Sequence, residues 1–155
     1  MAIETITMAI ADVAGAVGEK PAEIVAAHEA ALQLLGLDNN AVAYGTDLIV
    51  GAGAYRRLCA DEASCAGSRF KVFATGPHPV RVWKPQGALR RGFRRARPLR
   101  SHDVRCLVPE DVLAMLPLSP DFPYLREQYA RLAEVLYFDR MSDAELGEFL
   151  RYVRG

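Results

Sequence analysis

Long apolar runs are missing from this sequence, and so are a dense cysteine framework and a net charge. The longest charge-free apolar stretches, such as "LIVGAGAY", fall far short of the roughly 20 residues needed to cross a bilayer. The first residues, "MAIETITMAIADVAGAVG", lack a basic leader and carry Glu4 and Asp12, so neither a signal peptide nor a membrane span is expected there. Cys59, Cys65 and Cys106 are an odd and sparse set, which points to a reduced, cytoplasmic setting rather than a disulfide scaffold. Nucleophile elbows, HExxH and paired-carboxylate patterns are absent as well, and the expectation is a protein that is not an enzyme and needs no cofactor.

What is present is ordinary globular composition, 51% apolar and 25% charged over 155 residues, enough for one domain with a real core. The zero net charge hides a strong segregation. Residues 81–105, "RVWKPQGALRRGFRRARPLRSHDVR", hold nine bases and one acid, Asp103. Residues 1–40 and 106–155 carry the compensating acids. Local fields of this kind say more about partners than the total does.

Periodicity predicts a helix over 5–17, from Ile6, Ile10, Val13 and Val17, stopped by Gly18. A second helix is expected over "PAEIVAAHEAALQLLG", with Pro21 at its first position and Gly36 as its cap. A short strand at 46–50 leading to a helix at 53–62 is favoured for the next segment, with one glycine-weakened helix as the alternative. "RFKVFAT" and "VRVWK" alternate around the turn residues "GPHP" and read as a β-hairpin. An Arg-rich loop follows, then a strand in "DVRCLV" and a short helix in "PEDVLAML". The chain closes with two helices, "YLREQYARLAEVLYF" and "SDAELGEFLRYVR", the latter opened by a Ser142–Glu145 capping box. The expected fold is a single α+β domain: 1–62 mainly helical, 68–108 a β-hairpin or small antiparallel sheet bearing the Arg-rich loop, and 109–155 helical.

Four smaller patterns bear on function. "IADVAGAVGEKPAEIVAA" resembles the helix-turn-helix of many bacterial repressors, with Ala14, Gly18, Pro21 and Ile24 in the matching places. It departs from that pattern at Glu19, and its second helix offers Glu23, His28 and Glu29 where major-groove readers carry basic or amide groups. "VGAGAY" has Arg56 where a dinucleotide fingerprint needs its third glycine. Cys59, Cys65, His102 and Cys106 could be assembled into a metal site, but buried free thiols are the expected state and no metal is assigned. His78 and His102, close to arginines, leave a small phosphodiester-cleaving enzyme as an alternative.

The basic segment carries the main expectation. Arg outnumbers Lys eight to one in it, and Arg makes bidentate phosphate contacts and stacks on bases. The expected function is non-catalytic binding of nucleic acid or another polyanion. Arg90, Arg91, Arg94, Arg95, Arg97 and Arg100 would neutralise phosphates, Arg81 and Lys84 would flank, and Trp83 and Phe93 would stack. A solvated loop paired with the acidic helices of the same chain is the plainer reading. A structural subunit of a repeated, virus-like assembly, joining basic loop to acidic helix between copies, is the second function class.

Overall fold

The computed structural model describes residues 2–36, 45–60, 68–99 and 104–137. Among them, six α-helices surround a six-stranded mixed sheet. The strands are β1 (Val25–Ala27), β2 (Thr46–Ile49), β3 (Phe70–Ala74), β4 (Val80–Trp83), β5 (Arg97–Leu99) and β6 (Val104–Cys106), in the spatial order β3-β4-β2-β1-β6-β5. Pairing alternates across the sheet: β3–β4, β2–β1 and β6–β5 are antiparallel, whereas β4–β2 and β1–β6 are parallel.

Helix α1 (Ala2–Val17) forms where the spacing predicts, burying Ile6, Ala9, Ile10, Val13, Ala14 and Val17 along one stripe. Gly18, at φ 71°, ends it, and the amide of Glu19 donates back to the Ala14 carbonyl at 3.1 Å. Arg57 of α3 (Ala52–Leu58) secures the same terminus, donating through Nε to the Val17 carbonyl at 2.8 Å and through Nη2 to Glu19 at 2.6 Å.

The expected second helix is not continuous. Pro21–Glu23 form a 3-10 turn, Val25–Ala27 the central strand β1, and only His28–Leu34 are helical, as α2. All residues from Ile24 to Leu34 are buried, so the run lacks the one-sided pattern that separates a surface helix from a strand. The bihelical repressor geometry goes with it. Residues 1–62 therefore contribute two of the six strands, rather than standing apart as a helical layer beside a small antiparallel sheet.

The hairpin β3–β4, strand β2, helix α5 (Pro109–Met115) and helix α6 (Arg126–Tyr137) agree with expectation. The Ser142–Glu145 capping box lies outside the described residues. The Arg-rich loop does not form. Residues Ala88–Arg95 are a helix, α4, and Arg97–Leu99 the edge strand β5. Arginine is a good helix former, and Leu89, Gly92, Phe93 and Ala96 supply an inward stripe at i, i+3, i+4 and i+7. Pro98 is tolerated because β5 lies at the sheet edge.

Gly92 sets how closely α4 approaches the core. A Cβ there would lie 2.5 Å from Met115 Cε and 3.0 Å from Leu107 Cδ2. Met115 can move aside, so a methyl is tolerable, but a larger side chain has to displace Leu107 as well. Gly92→Val is expected to lower the unfolding free energy by roughly 1–3 kcal/mol, through overpacking. A urea titration measures it, and an unchanged midpoint would show that α4 does not pack as described.

Candidate nucleic-acid interface and a buried charge cluster

The structure divides the basic segment into an exposed and a buried population. Arg90, Arg91, Arg94, Arg95 and Arg97 are exposed on α4 and β5. Arg95 approaches Asp111 of α5 at 3.5 Å; the other four have no acidic partner among the described residues. On α4 the pairs Arg90–Arg94, Arg91–Arg94 and Arg91–Arg95 are like charges three or four residues apart, each disfavouring the helix by about 0.2–0.5 kcal/mol. Beneath this face runs a groove of about 350 Å³, lined by Ala88, Arg91, Arg94, Arg95, Asp111, Ala114 and Met115.

The remaining expected contacts lie elsewhere. Trp83 is 1% exposed, its ring 4.7 Å from Phe70 and 5.0 Å, edge-on, from His28. Such a ring is core and presents no stacking platform. Arg81 is buried in ion pairs and is not available to a ligand in this state. Phe93 is half-buried under Arg105, whose guanidinium sits 5.1 Å from the ring centre. Arg105 also donates through Nη2 to the Phe93 carbonyl at 2.8 Å and through Nε to that of Ala96 at 3.4 Å. It thereby satisfies carbonyls at the end of α4 that have no helical partner. Lys84 lines a separate cavity of about 390 Å³ with Ala52, Tyr55, Arg56, Cys59 and Pro85. Arg100, Cys65 and His102 lie outside the described residues, and His78 is exposed on the hairpin turn.

Sequence reasoning missed a second constellation, at one end of the sheet. Residues Asp47 and Arg81 are paired in register on β2 and β4, so their side chains leave the same face. Asp47 Oδ1 accepts from Arg81 Nε at 2.6 Å, and Oδ2 from His28 Nδ1 at 2.6 Å. Arg81 Nη2 continues to Asp121, in the segment between α5 and α6. Gly45 leaves room for this. A Cβ at that position would lie 2.9 Å from Arg81 Nη2 and 3.0 Å from the Pro79 carbonyl, and its own amide donates to Glu29 at 3.2 Å.

His28 occupies the strand-to-helix junction at φ 50°, a conformation costing about 1–3 kcal/mol for a non-glycine residue. Its Nδ1 proton goes to Asp47, and Nε2 has no hydrogen-bond partner; nor has the neighbouring Trp83 Nε1. An Asp-oriented imidazole beside a proton-bearing Glu29 is acid–base equipment in kind. With His28 wholly buried and Glu29 2% exposed, the set ties strands and loops together in this state. The sequence signal was a set of ionisable residues inside apolar runs, His28 and Glu29 in "IVAAHEAALQLL" and Asp47 in "GTDLIV". Buried ionisable groups need partners, and their placement is informative for that reason.

Cys59 is disulfide-bonded, where free thiols were expected, and Cys106 is free and buried, its thiol pushed up to about 12 by burial. Among the described residues no group of three or more His, Cys, Asp or Glu side chains is placed to hold a metal, and no helix is long and apolar enough to cross a membrane. Comparison with protein-family models, curated proteins and solved structures finds no match to this chain.

Burial, the neighbouring carboxylate of Asp121 and that of Asp47 push Glu29 up to about 8. The unfolded chain releases this proton near 4.5, so between the two values folding takes up a proton. The stability it supports is whole below 4.5 and is lost as pH rises through about 8. Urea midpoints from mildly acidic to alkaline pH should therefore fall for the wild type and stay flatter for Glu29→Gln. Equal profiles for the two proteins would refute the protonated state of Glu29.

Proposed function

We propose that the protein binds a polyanion, foremost a nucleic acid, without catalysis, through the exposed arginine face of α4 together with Arg97. The observation that supports this reading is the arginine face itself. Four exposed arginines lie along two turns of one helix, and among the described residues their one ion-pair contact is Arg95 with Asp111, at 3.5 Å. Phosphates would relieve the repulsion between these side chains, and a segment that is already helical spares the ligand the entropy of ordering a loop.

The expected aromatic stacking by Trp83 is no part of the proposal, and Arg81 drops out with it. Arg100 remains a candidate phosphate contact. Major-groove reading by the segment 10–27 is not proposed either, since Glu23 stands in a 3-10 turn and His28 and Glu29 are buried. Contacts to phosphates position a ligand without reading its sequence, so discrimination from the arginines alone is slight.

Binding of a labelled single-stranded oligonucleotide, followed against salt, tests the proposal. Four or five engaged phosphates give a log–log slope of roughly −3 to −4. Reversing charge at Arg94 should weaken binding several-fold for all sequences alike, with the protein still folded, since it also relieves the repulsion from Arg90 and Arg91. Binding that is flat in salt, or insensitive to the reversal, would refute it.

A further inference from the structure

Away from α4, two further cations meet at one cavity with nothing to pair with. The cavity, about 390 Å³, is lined by Ala52, Tyr55, Arg56, Cys59, Lys84 and Pro85. Among the described residues, neither Arg56 nor Lys84 has an ion pair or a side-chain hydrogen bond, and no acid lines the cavity. Their neighbours differ. Arg57 is held by Glu19 and the Val17 carbonyl, and Lys71 donates to the Leu58 carbonyl at 3.3 Å. Those two tie the chain to itself, whereas Arg56 and Lys84 leave two positive charges lining one space.

The topology explains why a cavity lies there. Strands β2 and β4 are parallel neighbours, and their last residues, Ile49 and Trp83, are in register. The chain leaving β2 passes through α3 to β3, at one edge of the sheet. The chain leaving β4 passes through α4 to β5, at the other edge. Parallel neighbours whose connections part in this way leave a crevice beyond their carboxyl ends, and open α/β sheets bind ligands there. The lining matches: Ala52, Tyr55, Arg56 and Cys59 follow β2, and Lys84 and Pro85 follow β4.

We propose that this cavity binds a small phosphate monoester with an apolar body about the size of one ring. The inference is independent of the polyanion reading and concerns a different surface. Charge selects the ligand class. A phosphate monoester carries about −1.5 to −2 at pH 7, which two unpaired cations match. A monocarboxylate or a phosphodiester carries one charge and leaves a cation over. Arg56 offers a planar fork for two phosphate oxygens, and Lys84 a point charge for the third. Ala52, Tyr55 and Pro85 supply an apolar lining for the body of the ligand. The volume is in the range of small-ligand sites, roughly 300–1,000 Å³.

Phenyl phosphate is the probe, titrated into isotopically labelled protein in a phosphate-free buffer and followed by amide chemical shifts. Methyl phenyl phosphate, with the same ring and one charge, is the comparison. Saturable changes are expected over Ala52–Cys59 and at Lys84, with the diester binding roughly tenfold more weakly. Arg56→Gln and Lys84→Gln should each weaken phenyl phosphate by about the same factor, and Arg94→Gln, on α4, should leave it unchanged. No saturable change at these residues would overturn the site. Changes confined to Ala88–Leu99 would overturn it too, by assigning the anion to the arginine face. Equal affinity for the two esters would overturn the charge match, and inorganic phosphate binding as tightly as phenyl phosphate would overturn the place given to the apolar body. Undiminished affinity in both cavity variants would overturn the roles of Arg56 and Lys84. The comparison of esters uses the wild-type chain, so it stands whether or not the variants fold. Its failure leaves polyanion binding, which is read from salt dependence at α4, untouched.

Discussion

The carboxylate of Asp47 is the point at which the parts of this fold are joined. One oxygen holds His28 at the junction of β1 and α2, and the other holds Arg81 on β4. Through Arg81 the link extends to Asp121 and the segment leading into α6. Taking such charges out of water costs several kcal/mol per ion, and the loss is recovered only where each has good partners. Here the geometry supplies them, with Asp47 and Asp121 as the charged partners of the guanidinium, and Glu29 beside these two carboxylates keeps its proton. Short strands of three to five residues have few ladder hydrogen bonds with which to fix their register. A buried, directional network at their ends supplies a constraint that apolar packing alone does not.

The same sheet presents the arginine face. Gly92 lets α4 lie close against Met115 and Leu107, and Arg105 holds the helix end by its carbonyls. The basic segment thus serves two ends. Arg81 and Arg105 bind the chain to itself, whereas Arg90, Arg91, Arg94, Arg95 and Arg97 are turned outward by the helix and strand that the buried residues position. Charge counting cannot separate the two groups, because both contribute equally to the +8 of residues 81–105.

Where the pattern was one-sided, the sequence was legible. The stripe of α1, the alternation in β3 and β4, and the acid-led start of α5 at Pro109 all gave the right element within a few residues. The run from Ile24 to Leu34 was not legible, since burial on every side erases the periodicity that distinguishes strand from helix. In α4 the density of arginine obscures the stripe of Leu89, Gly92, Phe93 and Ala96, so that the segment reads as a charged loop. Arg81 and Trp83 were expected to meet a ligand from the hairpin, but β4 is buried from Arg81 to Trp83 and offers no solvent face there. The cluster around Asp47 was recoverable only as isolated ionisable residues in apolar surroundings. Their meeting depends on the pairing of β2 with β4, which local pattern does not specify.

On the proposed reading, a nucleic acid contacts the outward face of α4. Amide chemical shifts of the isotopically labelled protein, followed as a single-stranded oligonucleotide is added, locate the contact residue by residue. The largest changes are expected over Ala88–Leu99 and the first turn of α5, with the ends of β2 and β4 around Asp47 and Arg81 little affected. Saturable changes confined to other surfaces, with α4 unmoved, would contradict the account.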